Sequence, residues 1–294
     1  MSSKKERVLF ILNPISGGRR RAGIEKVIEK ELDTALYQPV LRYTSHPGNA
    51  TELAAQALTE GIRKVVAIGG DGTVNEVGRA LVNTPGVLGI IPTGSGNGLA
   101  RHLNIPIRVS KAISVINHSR VVSIDYGTIN NQPFFCTAGL GFDALVGNKF
   151  AQLDSRGFTS YIKTVVKEYF SFKPERYELT FNHGTVEKEA FLITFANASQ
   201  YGNNAYIAPE ADIQDGLLDI TILSPFPWYL APQLGVMLFS KSINNSHYLE
   251  VYRTKNVQVK RLSDGYVHFD GEPSSMGSTL DIKIEPRGLN VIMP

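Results

Sequence analysis

Three short runs in this chain place glycines where a strand gives way to a helix. They are Asn13-Pro14-Ile15-Ser16-Gly17-Gly18, Gly69-Gly70-Asp71-Gly72-Thr73 and Pro92-Thr93-Gly94-Ser95-Gly96-Asn97-Gly98. Glycine lets backbone N–H groups turn inward and approach an anion closely, and the amino end of the following helix adds partial positive charge. One such loop often does no more than end a strand; three on one sheet edge point to a phosphate-bearing ligand. Thr44-Ser45-His46-Pro47-Gly48 falls in the equivalent place after a fourth strand. The middle loop carries Asp71, a negative charge where the most negative part of such a ligand would lie. Phosphoryl transfer to a hydroxyl needs a cradle, a divalent cation on the phosphate oxygens and a proton acceptor. Asp71 suits the second or third task, holding magnesium directly or through water. The simpler alternative is a turn aspartate bonded to its own backbone.

The elements that must position these loops are legible as an alternation. Apolar runs at residues 8–12, 40–43, 64–68 and 87–91 read as strands. Helical spacing follows the first in Ile24, Val27, Ile28, Leu32 and Ala35. Asn49, with Glu52 three residues on, signals the start of the second helix as a capping pair. A third helix is expected over 74–82 and a fourth from near Gly96. Four β-α units predict a parallel sheet covered on both faces, with all four loops at its carboxyl edge, where ligands bind. After about residue 120 the texture changes to short strands. Residues 121–129 and 132–138 flank the hairpin signal Asn130-Asn131, and 177–182 and 185–194 flank His183-Gly184. Further strand-like runs lie at 217–223, 256–260, 266–269, 279–284 and 288–293, with helical stretches near 143–170 and 227–240. The expectation is a Rossmann-like α/β domain over 1–122 and an all-β sandwich over 123–294. With no long flexible linker, the two are expected to pack around a cleft.

Composition narrows the function classes. The chain has 294 residues, 43% hydrophobic and 19% charged, with a net charge of +3, too small to argue for nucleic acid. Lys4, Lys5, Arg7, Arg19, Arg20 and Arg21 crowd the start against Glu6 alone, a basic face for anionic phosphates, an anionic membrane or solvent. The single cysteine, Cys136, excludes an internal disulfide and reads as a core thiol in a reducing compartment. No window supplies the run of about 20 apolar residues that a spanning helix needs, so a soluble, cytoplasmic protein is expected. His46, His102, His118, His183, His247 and His268 show no ligand spacing for zinc. Gly94-Ser95-Gly96 is no nucleophile elbow.

Neither G-x-x-x-x-G-K-[ST] nor G-x-G-x-x-G occurs, which sets aside P-loop enzymes and the usual dinucleotide fingerprint. Instead, Ile68-Gly69-Gly70-Asp71-Gly72-Thr73-Val74-Asn75-Glu76 resembles the signature of the diacylglycerol kinase catalytic family, which includes sphingosine and ceramide kinases. The similarity continues through Asn13 to Gly18, Pro92 to Ala100 and Gly139-Leu140-Gly141-Phe142-Asp143-Ala144. It runs on through Ala208-Pro209-Glu210-Ala211-Asp212, Asp215-Gly216-Leu217-Leu218-Asp219 and His268-Phe269-Asp270-Gly271-Glu272-Pro273. The soluble bacterial lipid kinases are the most similar branch. The Gly-Gly-Asp-Gly-Thr block alone is shared with NAD kinases.

The resemblance implies an ATP- and magnesium-dependent lipid kinase whose nucleotide and lipid meet in the interdomain cleft. It implies that Asn13, Pro14, Ile15, Ser16, Gly17, Thr44, Gly70, Asp71, Gly72, Thr73, Asn75, Glu76 and Ser95 bind the nucleotide. It places the proton acceptor at Glu272, with Asp71 as the other catalytic carboxylate, and a magnesium site at the Gln214 side chain and the carbonyls of Leu217 and Asp219. Gly98 departs from the bacterial diacylglycerol kinases, which commonly carry aspartate there; sphingosine and ceramide kinases have a small alanine. An NAD kinase-like enzyme with a soluble acceptor and an inactive nucleotide-binding regulator are the alternatives. Pro225-Phe226-Pro227-Trp228-Tyr229-Leu230 and the apolar run after it read either as an interfacial patch on a membrane or as a helix packed on the sandwich. Phe158, Tyr161, Tyr169, Phe170 and Phe172 are the rival lining for an acyl chain, with core packing as the simpler reading.

Overall fold

The computed structural model describes residues 5–16, 23–118, 120–151 and 158–294. The chain divides into two compact units, one of residues 1–124 with 287–294 and one of 125–286.

In the first unit the alternation is β1 (Glu6–Leu12), α1 (Ile24–Glu31), β2 (Tyr37–Tyr43), α2 (Asn49–Thr59), β3 (Lys64–Gly69), α3 (Asp71–Leu81) and β4 (Val87–Pro92). The short α4 (Gly98–His102) and α5 (Val109–His118) follow. The strands lie in the order β2-β1-β3-β4 and all pair in parallel. Every residue of β3 is buried, as a strand covered on both faces requires, and its run Val65-Val66-Ala67-Ile68 supplies the apolar side chains. Asn290 and Val291, near the chain's end, extend this sheet in parallel beside β4. The second helix starts where expected but is capped differently. Asn49 does bond Glu52, side chain to side chain at 2.8 Å. The N–H groups of Gly48 and Ala50 instead donate to the carboxylate of Glu76, at 2.8 and 3.0 Å. The fourth helix opens at Gly98, two residues later than predicted.

The second unit takes up β5 (Arg120–Ile129) from Asp125 onward, then β6 (Gln132–Phe134), β7 (Thr137–Gly141), α6 (Phe142–Ala151) and α7 (Phe158–Tyr169). It continues with β8 (Glu175–Phe181), β9 (Gly184–Ala190), β10 (Leu192–Ala196), β11 (Leu218–Leu223) and α8 (Ala231–Phe239). It closes with β12 (Leu249–Thr254), β13 (Asn256–Arg261), β14 (Gly265–Phe269), β15 (Glu272–Met276) and most of β16 (Thr279–Met293). One sheet runs β12-β11-β10-β7-β14-β15, and β16-β13-β8-β9 form a second antiparallel layer. Their facing residues make one core. Tyr177, Leu179, Val257, Val259, Leu280 and Ile282 come from one side, and Leu140, Ile193, Phe195, Ile220, Val267 and Phe269 from the other. The alternation of strand side chains sends Thr194, Asp219 and His268 to the opposite face, where α6, α7 and α8 cover an aromatic cluster.

Several expected boundaries shift. The predicted run 185–194 is two strands, split at Phe191, because β9 pairs with β8 while β10 joins the other sheet. The second hairpin turn is Asn182-His183, one residue early, since Phe181 must face the core and therefore pairs with Gly184. Residues 279–284 and 288–293 are one strand that passes through Arg287 at φ 52°. The Asn130-Asn131 hairpin forms as read, with both residues at positive φ, the signature of a type I′ turn.

The β3–α3 and β4–α4 loops touch backbone to backbone. A Cβ on Gly94 would stand 2.5 Å from Cα of Gly70 and 3.0 Å from Oδ1 of Asn97. Gly94→Ala should therefore cost roughly 2 kcal/mol through overpacking. Gly235→Ala, inside α8 with open space around it, should gain roughly 0.5–1 kcal/mol. Urea unfolding of the two variants checks both signs; an unchanged midpoint for Gly94→Ala would contradict the close approach.

Candidate nucleotide site and the polar centres of the second unit

The four loops of the first unit are tied together at the carboxyl ends of β1 to β4. Asn13 turns its own loop by accepting the Ile15 N–H at 3.0 Å, and donates through Nδ2 to Thr73 Oγ1 at 3.2 Å. Ser16 Oγ lies 3.2 Å from Thr93 Oγ1, joining the first loop to the last. Backbone bonds from Asn13 to Ile68, Thr93 to Gly69 and Thr44 to Leu12 continue the sheet into the loops. Thr73 and Asn75 are buried under this surface, while Gly70, Asp71, Gly72 and Pro14 are half-buried. Ile15 is 83% exposed, a large apolar side chain left open at the loop tip. Ser95 is exposed as well. Gly17, predicted for the same site, lies outside the described residues, as do Gly18, Lys4, Arg19, Arg20 and Arg21.

Asp71 does not bond its own turn. Its Oδ2 accepts the Asn97 N–H at 2.8 Å and its Oδ1 the Gly98 N–H at 2.6 Å. The carboxylate thus satisfies donors at the amino end of α4, a charge-assisted cap supplied from another loop. Gly98, the position without a family aspartate, is one of those donors. Glu76 does the same for α2, so its carboxylate reaches away from the glycines. Asn13, Ser16, Gly70, Asp71 and Thr73 are brought together; Thr44 joins them through backbone alone, and Glu76 supports them from behind.

In the second unit the predicted acceptor Glu272 opens β15, exposed and opposite Phe269. The turn before it, Asp270-Gly271, has both φ values positive, at 51° and 85°. Asp270 anchors that turn. Its carboxylate accepts the N–H groups of Phe135, Cys136 and Thr137, the last two at 2.7 and 3.1 Å. Cys136 is buried, with Sγ donating to the Gln200 carbonyl, a core thiol as expected.

The predicted magnesium ligands lie on one stretch. Gln214 is exposed, and its N–H donates to Asp212 at 2.9 Å. Leu217 leads into β11, its N–H on Asp215. The Asp219 carboxylate is already engaged, 3.0 Å from Arg253 Nε, and Arg253 also pairs with Asp215. Burial pushes the Asp219 carboxyl up, which Arg253 opposes and Asp215 reinforces. An amide oxygen and two carbonyls are hard, neutral donors that fit a largely hydrated magnesium ion. Among the described residues no group of three or more His, Cys, Asp or Glu side chains could hold a metal.

The residues that sequence reasoning missed form a buried polar centre. His268 Nε2 lies 3.1 Å from Asp143 Oδ2, and Tyr201 and Thr194 hydroxyls donate to the same oxygen at 3.2 and 3.4 Å. The centre has no room to spare: a Cβ on Gly139 would come within 2.5 Å of Asp143 and 2.6 Å of His268. Asp125, fully buried, accepts the Gly216 N–H at 2.8 Å. The only available signal was a charged residue inside an apolar run. Of the proposed acyl lining, Tyr169 and Phe172 pack into the outer aromatic cluster. Phe170 is exposed, and the side chains of Phe158 and Tyr161 lie outside the described residues.

Comparison with known proteins agrees with this architecture from end to end. The diacylglycerol kinase catalytic domain matches residues 7–129, and the YegS C-terminal NAD kinase beta sandwich-like domain matches residues 136–293. The chain is 28% identical to a probable lipid kinase YegS-like protein of Pseudomonas aeruginosa, over 99% of this chain and 95% of that one. It is 29% identical to lipid kinase YegS of Escherichia coli K12, over 86% of each. A diacylglycerol kinase structure from Bacillus anthracis shares the fold, with a TM-score of 0.75 at 21% identity over 99% of this chain and 98% of that one. The chain belongs to the diacylglycerol kinase catalytic-domain family, with the YegS-type β-sandwich as its second half, and is a phosphotransferase of the lipid kinase type.

Proposed function

We propose that this enzyme uses ATP to phosphorylate the hydroxyl of a lipid of the diacylglycerol, phosphatidylglycerol or sphingoid and ceramide type. It would act from the cytoplasm, touching the inner face of a membrane peripherally. One observation supports the reading most: glycine backbone is left uncovered where two helix amino ends meet, with Asp71 bracing the two loops together. The nucleotide would lie on Asn13 to Gly17, Thr44, Gly70 to Glu76 and Ser95. The lipid hydroxyl oxygen attacks the γ-phosphorus, the bond to the bridging oxygen breaks, ADP leaves and the hydroxyl proton passes to Glu272. Asp71 keeps its loop closed and its charge near the phosphates. Gln214 with the carbonyls of Leu217 and Asp219 would hold a magnesium ion. When bound at the phosphates, magnesium supplies neutralisation of their charge.

Glu272→Gln should lower turnover by about 10²–10⁴-fold with the nucleotide KM little changed; normal turnover would remove Glu272 from the reaction. Asp71→Asn puts an amide against the Asn97 N–H, so it should lower both thermal stability and turnover. Lost stability with full turnover would leave Asp71 as a loop clamp alone. Labelled ATP with a total lipid extract, followed by identification of the product, decides the acceptor. Phosphorylation of NAD and of no lipid would favour a soluble-acceptor enzyme. ATP binding without turnover would favour a regulator, for which Gly98 is the hint.

A further inference from the structure

The outer helices of the second unit present an apolar surface edged with lysine. Helix α8 packs inward through Leu234, Met237 and Leu238 yet leaves Val236 and Phe239 exposed. The 3₁₀ turn before it exposes Trp228 and Tyr229, each at 63%. On α7, the residues Lys163, Val166, Lys167 and Phe170 are all exposed. Their spacing of three, four and seven puts them on one stripe. The Phe170 and Trp228 rings stand 6.5 Å apart, so stripe and turn form one continuous surface.

Charge selects the occupant. No charged residue occurs from Ser224 to Ser240, and the exposed stripe of α7 carries two lysines and no acid. Exposed Lys173 and Lys241 follow the two segments. Tryptophan and tyrosine settle at headgroup depth, with lysines above them on anionic phosphates. Among the described residues no helix is long and apolar enough to cross a membrane. A lipid acceptor must then be met through a surface.

We infer that the surface formed by Lys163, Val166, Lys167, Phe170, Trp228 and Tyr229 docks on an anionic lipid bilayer. The inference deepens the lipid kinase reading and rests on it for its purpose. Trp228 is the single tryptophan of the chain, so its fluorescence reports on this surface alone. With the purified full chain at low salt, vesicles of phosphatidylcholine and phosphatidylglycerol in equal parts should shift Trp228 emission to the blue. Dibrominated acyl chains should quench it, and phosphatidylcholine vesicles should do neither. The double variant Lys163→Gln/Lys167→Gln should bind the anionic vesicles about thirtyfold more weakly, the yield of two lysines at such a surface. Its turnover of a monomeric short-chain diacylglycerol should be unchanged. Co-sedimentation with vesicles without a change in Trp228 emission would overturn the inference, as would no binding, or a blue shift that grows with protein concentration in vesicle-free buffer. Failure of the kinase reading looks different: no phosphorylation of the short-chain lipid, whatever the vesicles do.

Discussion

The first unit depends on one contact, the closure of the β3–α3 loop against the β4–α4 loop. Gly70 and Gly94 can meet only because neither has a side chain, and the meeting leaves N–H groups at the start of α4 short of partners. Asp71 supplies the acceptor for two of them. A neutral side chain there would give up the charge that makes these bonds strong. The aspartate among the glycines is therefore structural before it is chemical: it holds open the ground on which an anion can be received.

The second unit solves a different problem with the same chemistry. Its sheets bury an apolar core on one face, and strand alternation then forces polar side chains onto the other. Thr194, His268 and Asp219 are the result, and each is matched by a neighbour: Asp143 and Tyr201 for the first two, Arg253 for the third. Such centres are stable only when nearly every group finds a partner, which explains how closely Gly139 is hemmed in. Asp270 adds a third instance, taking the backbone of Phe135 to Thr137 and thereby fixing the turn that carries Glu272.

What could be read in the sequence was local. Strand and helix alternation, the Asn130-Asn131 turn and the glycine loops each follow from a few adjacent residues. The cap on α2 was misread because Asn49 and Glu52 satisfy the local pattern, while the carboxylate that does the capping is Glu76, in another helix. The break at Phe191 was invisible for a similar reason: residues 185–194 are uniformly strand-like, and only the choice of partner strand divides them. Asp143 and His268 lie 125 positions apart, so no spacing rule joins them. Family motifs named the right blocks, but not which of their residues face a ligand and which brace a neighbour.

Asp71 and Glu76 also share a helix. Five positions on α3 turn about 140° around its axis and rise about 7.5 Å, so the two carboxylates reach to opposite flanks. One grips the start of α4, the other the start of α2. Helix α3 then works as a crosspiece with two handles, unable to slide or roll without loosening both neighbours at once. Whatever pulls on its first turn is felt at Gly48 and at Gly98 together, and the four loops answer as a single rigid rim.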